Sequence, residues 1–141
     1  MPASPRSLSW QCRPVRVALI ASAALATACM AAPPPPTDGE RVLAARDALT
    51  AAIGDAACTE ALQCRTVSIG HQACGGPEAW LAWSTAAGKD AQIDALAASH
   101  RAARRTMVDR LGLQSTCAVV ADPGAQCVAG RCRLGSGSAG N

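Results

Sequence analysis

Apolar residues recur at three- and four-residue spacing from Val42 through Ala45, Leu49 and Ala52 to Ile53. That is the period of one helix face. Thr37 followed three residues later by Glu40 has the form of a capping box, and Gly54 stands where a helix would end. The pattern predicts a helix from about Asp38 to Ile53. A second helix is predicted from Asp90 to Leu111, closed by Gly112. Its apolar face reads Ile93, Leu96, His100, Ala103, Met107 and Leu111, with Asp90, Asp94, Arg101, Arg105 and Asp109 opposite. Between the helices, residues 64–69 alternate, with Val67 and Ile69 on one side and Thr66 and Ser68 on the other. That is strand behaviour. A short helical turn carrying Cys58 is predicted over residues 56–62 and a loop over 70–77. Residues 80–83 read as a short strand or a helix edge. Further on, residues 117–120 read as a strand and Asp122-Pro123-Gly124 as a turn. Residues 127–132 read as a tight hairpin around Ala129-Gly130, which sets Cys127 opposite Cys132. Those two cysteines can bond to each other or reach separate partners. The class is α+β: a small disulfide-stapled domain of two main helices on a short antiparallel sheet.

The start of the chain follows a different pattern. Residues 17–28 are an uncharged apolar run after Arg6, Arg13 and Arg16, ending in small residues before Cys29. Such a segment is an export signal and is too short to span a membrane permanently. Export places the later cysteines where pairs become disulfides. Ala26-Thr27-Ala28-Cys29 resembles a lipobox, with Ala26 where Leu is usual and Leu25 one residue early. Ordinary cleavage after Ala28 is the competing reading. Lipidation of Cys29 leaves six cysteines that can all pair, whereas ordinary cleavage leaves seven and one unpaired. Met30 after that cysteine points, by resemblance to lipoprotein sorting, to the periplasmic face of the outer membrane. Pro33 to Pro36 form a semi-rigid tether. The organisation expected is a signal peptide over 1–28, the lipid-anchor cysteine and tether over 29–37, a six-cysteine domain over 38–134, and a disordered tail over 135–141.

Composition sharpens this picture in two places. Three of the 13 Lys and Arg precede Cys29, so ten basic residues face ten acidic ones in the remainder. A balanced domain gives nucleic acid nothing to hold. The apolar fraction is 50%, yet alanine supplies much of it and the chain has no Phe or Tyr. A core this thin needs covalent support. Disulfides at about 2–4 kcal/mol each provide it.

The run Cys64-Arg65-Thr66-Val67, then Gly70, Cys74-Gly75-Gly76-Pro77, Trp80-Leu81 and Trp83-Ser84, and the ending Cys117-Ala-Val-Val, Cys127 and Gly130-Arg131-Cys132, resemble a family of small exported bacterial proteins and lipoproteins. The resemblance covers about Cys58 to Cys132. It implies export and a disulfide-bonded domain, and it carries no catalytic residues across.

Cys58-x5-Cys64 and Cys127-x4-Cys132 have the look of zinc half-sites, but an exported chain favours disulfides among Cys58, Cys64, Cys74, Cys117, Cys127 and Cys132. Sequence leaves fifteen pairings of these six cysteines open. His71 and Cys74 suggest a thiol–imidazole pair, which full pairing forbids. His100, central on an apolar face, needs a hydrogen-bond partner. Ser68 and Ser84 are triad ingredients without a nucleophile elbow. Trp80 and Trp83 are candidates for a ligand platform, or else the chief aromatic packing of the core. Arg131, bounded by Cys127 and Cys132, is a candidate protease-binding residue. Arg101, Arg104, Arg105 and Arg110 form a mixed-charge face with Asp94 and Asp109. The expectation is a non-enzymatic envelope lipoprotein, with no cofactor and no metal. It would be held to the membrane through its lipid and bind an unknown envelope protein or small ligand. A secreted inhibitor of a protease or other hydrolase is the alternative, and a small enzyme ranks third.

Overall fold

Helix α1 spans Asp38–Ile53 and begins as its sequence dictates. The Thr37 hydroxyl accepts from the Glu40 N–H at 3.2 Å, and the Glu40 carboxylate accepts from the Thr37 N–H at 2.7 Å. The Thr37 N–H, and after it the Thr37 hydroxyl donating to the same carboxylate oxygen, hold the Glu40 carboxyl below its usual pKa. Residues 33–136 are described by the computed structural model. Helix α2 spans Asp90–Leu111 and ends at Gly112 in the left-handed conformation. Arg110 reaches Asp38 at 3.1 Å, and Lys89 Nζ donates to the Ala52 carbonyl at 3.2 Å. Those two contacts tie opposite ends of the helices together, so α1 and α2 form an antiparallel pair.

Strands β1 (Cys64–Ile69) and β2 (Ala79–Ser84) pair antiparallel with Val67 opposite Leu81 and Ser68 opposite Trp80. This register decides which side chains share a face. Val67, Ile69, Leu81 and Trp83 turn toward the helices. They pack there with Leu49, Ile93 and Ala97. Among the described residues, Leu49, Ile69 and Ile93 are the larger side chains that are fully buried. At roughly 1.5–3 kcal/mol each, three such residues leave the staples a large share of the work.

Strands β3 (Ala125–Val128) and β4 (Arg131–Leu134) form a separate two-stranded hairpin. The expected single sheet is therefore two small ones. Ala129 and Gly130 make the turn with φ of 50° and 75°, the doubly positive pair that suits the twist of a hairpin. Cys127 and Cys132 are opposite each other, yet each bonds elsewhere. The pairs are Cys58–Cys127, Cys64–Cys132 and Cys74–Cys117. The first two clamp this hairpin over the second face of the β1–β2 sheet, with Ala56, Ala82 and Ala125 packed around the sulfurs.

Three local expectations fail. Residues 56–58 are not helical: Ala56 has φ of 52°, Ala57 bridges to Arg131, and a 3-10 turn appears only at Ala61–Gln63. The bonds Cys58 N–H to Gly130 O and Cys132 N–H to Ala56 O replace helical ones. Residues 117–120 are not a strand. Cys117 has φ of 58°, and the carbonyls of Ala118 and Val120 are taken by the side chains of Gln72 and Trp80. The face expected of helix α2 holds only in part: Ile93 and His100 are buried and Leu96, Ala103 and Met107 half-buried, but Ala97 and Val108 are buried too, while Leu111 is 59% exposed.

Candidate functional site

The buried stripe of α2 runs on from the core to His100, and Arg104 follows one turn later. His100 is 3% exposed, and its Nδ1 accepts the Gly70 N–H at 3.2 Å. That bond leaves the proton of the neutral imidazole on Nε2. Burial is the main force holding its pKa below the ordinary histidine value, and the charge of Arg46 adds to it. Glu78 opposes the shift, while Arg104 and Arg101 reinforce it.

Arg104 donates from Nε and Nη2 to Glu78 Oε1 at 2.8 and 2.7 Å. Glu78 precedes β2 and lies directly over Gly70, which has φ of 76°. Gly70 therefore serves two purposes. Its N–H goes to His100, and its missing side chain leaves room for Glu78. The Glu78 N–H in turn donates to the Ile69 carbonyl at 2.9 Å, closing the β1–β2 hairpin.

A cleft of about 290 Å³ opens beside this ion pair. His71 lines it along with Glu78 and Arg104, and Val108, Leu113 and Val120 give it apolar wall. Residues 113–120 form its outer side and are held by few bonds. Gln72 Nε2 donates to the Pro77 and Ala118 carbonyls, Ser115 donates to Gln72 Oε1 at 3.0 Å, and Trp80 Nε1 donates to the Val120 carbonyl at 3.0 Å. The Cys74–Cys117 bridge completes the attachment. Such a cleft suits a small ligand with an apolar body and a polar end, the usual make-up of a binding site. A second hollow of about 330 Å³ lies beside the end of α1. Asp55 and Lys89 are its only charged lining.

The residues singled out from sequence are scattered. Trp80 and Trp83 are three apart on a strand and so lie on opposite faces, which rules out a shared platform. Trp83 is 5% exposed in the core, where its Nε1 has no partner, while Trp80 braces the cleft wall. His71 lines the cleft, and Cys74 beside it is oxidised. Ser68 receives Arg101, and Ser84 accepts from the Ala86 N–H. Arg131 is exposed on a regular strand whose neighbours bond to residues 56–58, unlike an extended inhibitor loop. The four arginines of the mixed-charge face each find a protein partner, at Ser68, Glu78, Asp109 and Asp38.

The four cysteines with zinc-like spacing do converge, and the sulfurs of Cys58, Cys64 and Cys132 lie within 4.8 Å of one another. They are bonded as disulfides, and a sulfur so bonded is not a thiolate ligand. Cys29 and the leader fall outside the described residues, as does most of the tail. Among the described residues, no helix is long and apolar enough to cross a membrane. No family model, curated protein or solved structure matches the chain.

Sequence reasoning did not foresee Glu78 and Arg104 as a pair, nor Gln72 as the anchor of the wall. Glu78 and Arg104 are 26 residues apart. The one usable signal was the four-residue spacing of His100 and Arg104, which puts both on one helix face.

Proposed function

We propose that this chain is an exported, envelope-tethered binding module without catalytic activity of its own; its resemblance to small exported bacterial proteins and lipoproteins implies the export and the disulfide-bonded domain. Its signal peptide is removed before Cys29, that cysteine carries lipid, and the proline-rich stretch spaces the domain from the outer membrane on its periplasmic side. One observation carries the reading: all six described cysteines pair among themselves, which leaves no described partner for Cys29 and favours its use as an anchor. Disulfides of this kind belong to an oxidising compartment. Prolines 33–36 are exposed, carry no helix or strand and directly precede the Thr37 cap, which suits a tether.

The cleft beside Arg104 and Glu78 is the ligand site in this reading, and the ligand is an envelope protein segment or a small molecule. Two measurements test it. The mature N-terminus should carry acyl groups on Cys29, and Cys29→Ser should move the protein from the membrane to the soluble fraction. The tethered protein should capture an envelope component that Ala118→Trp, which fills the cleft, no longer captures. An unmodified N-terminus removes the anchor, and equal capture by Ala118→Trp removes the cleft.

A further inference from the structure

The three disulfides differ in their access to solvent. Cys58, Cys64 and Cys132 are 8%, 5% and 5% exposed, and Cys127 is half-buried against them. Cys74 and Cys117 are both exposed. Thiol–disulfide exchange needs a thiolate to reach a sulfur, so access sets which bridge reacts. Cys74 sits in a glycine-rich loop, where Gly75 and Gly76 have φ of 89° and 83° and no heavy atom near their missing side chains. Nothing crowds an approach from that side.

The same bridge holds the part of the domain with least structure. Residues 113–120 carry no helix or strand. Apart from Cys74–Cys117, the segment is held to the rest of the domain by the Leu113 N–H bond to the Val108 carbonyl at its start and by side-chain hydrogen bonds from Gln72, Ser115 and Trp80. Cys117 is kept in the left-handed region at φ of 58°, which a side-chain-bearing residue leaves when free to do so. Neither the helix–sheet core nor the hairpin clamp involves Cys74 or Cys117.

From these observations we infer that Cys74–Cys117 is a thiol-exchange site, opened selectively by a dithiol reductant, and that opening it frees the outer wall of the cleft. The reductant's thiolate attacks one sulfur of the bridge, and the other sulfur leaves as a thiolate and takes up a proton. The reductant's second thiol then attacks the mixed disulfide and releases the first sulfur. Two electrons and two protons pass from the dithiol, which becomes a disulfide, to the bridge, which becomes two thiols. The partner class is an envelope dithiol oxidoreductase. This inference stands whether or not the cleft holds a ligand.

The experiment treats the full mature protein with rising dithiothreitol, then alkylates it and maps the labelled cysteines by mass spectrometry. Cys74 and Cys117 should label at a reductant concentration about tenfold or more below that needed for the other four. Amide hydrogen exchange over residues 113–120 should rise at that point, with residues 64–69 and 90–111 unchanged. A Cys74→Ala/Cys117→Ala variant should show the faster exchange without reductant. Simultaneous labelling of all six cysteines overturns the selectivity. Unchanged exchange over 113–120 in the selectively reduced wild type overturns the release of the wall, and needs no variant to fold.

Discussion

Replacing Gly70 by alanine probes the residue on which the His100, Glu78 and Arg104 contacts converge. Its φ of 76° costs a residue with a Cβ about 1–2 kcal/mol. The new Cβ would stand 2.7 Å from Glu78 Cβ and 2.8 Å from its Cδ, well inside contact distance. The clash reaches the root of the side chain, so a rotamer change at its tip does not relieve it. Glu78 has to shift, losing its part-shielded ion pair with Arg104, worth about 1 kcal/mol. Its backbone bond to Ile69 is strained as well, at about another 1 kcal/mol. The expected total is about 3–4 kcal/mol. Gly75→Ala is the control, because φ is 89° there and nothing lies within 4 Å. It should cost only the backbone part, about 1–2 kcal/mol. Urea unfolding followed by circular dichroism gives both values by linear extrapolation. A second leg adds Glu78→Gln, which should cost about 1 kcal/mol in the wild type and almost nothing after Gly70→Ala. Equal destabilisation by Gly70→Ala and Gly75→Ala would refute the reasoning.

Three further outcomes are expected. Cys58–Cys127 and Cys64–Cys132 span 69 and 68 residues and nearly coincide. Either therefore closes most of the other's loop, and replacing one pair by alanines should cost about 3 kcal/mol of chain entropy and leave a folded protein. Thermal melts should show that protein unfolded when both pairs are replaced, and a single replacement as damaging as the double one contradicts the redundancy. Because the folded-state pKa of His100 lies below its unfolded value, the unfolded chain binds the extra proton first. Stability should be flat above about pH 6.5 and fall as pH drops through the folded-state value. His100→Asn keeps an acceptor for Gly70 and should remove the fall, as urea midpoints between pH 5 and 8 would register. Trp80→Phe deletes the donor to the Val120 carbonyl. It should cost about 1 kcal/mol and speed amide exchange over residues 118–122, whereas unchanged exchange would show that Trp80 does not brace the wall.

Much of the fold was legible because its signals are local. The Thr37–Glu40 box, Gly54 and Gly112 bound both helices, and the alternation over 64–69 and the Ala129-Gly130 turn each describe neighbours in sequence. The errors fall where distant segments decide. Val108 is buried rather than Leu111 because the chain after Gly112 folds back over the Val108 side, closing a cleft that both Val108 and Leu113 line. Residues 117–120 have a strand-like composition, yet Gln72 and Trp80 claim their carbonyls from afar. The cysteines show the same limit. The hairpin put Cys127 and Cys132 face to face, and only packing against residues 58 and 64 sends each to a separate partner.

The site was hidden for a related reason. Its charged pair joins the residue before β2 to the middle of α2, and its organising residue is a glycine whose importance lies in the atom it lacks. No periodicity marks such a position. The tryptophans, the loudest residues of a chain with so few aromatics, drew attention to β2 correctly and to a shared surface wrongly. A strand alternates faces, so Trp83 serves the helix-packed core while Trp80 holds the loop on the other side. That division extends to the domain as a whole. One face of the β1–β2 sheet is stabilised by apolar burial and the other by the two buried disulfides. The outer wall of the cleft is fastened by neither, but by the Cys74–Cys117 bridge nearest solvent, so under the two proposals above the ligand surface would also be the one a reductant releases.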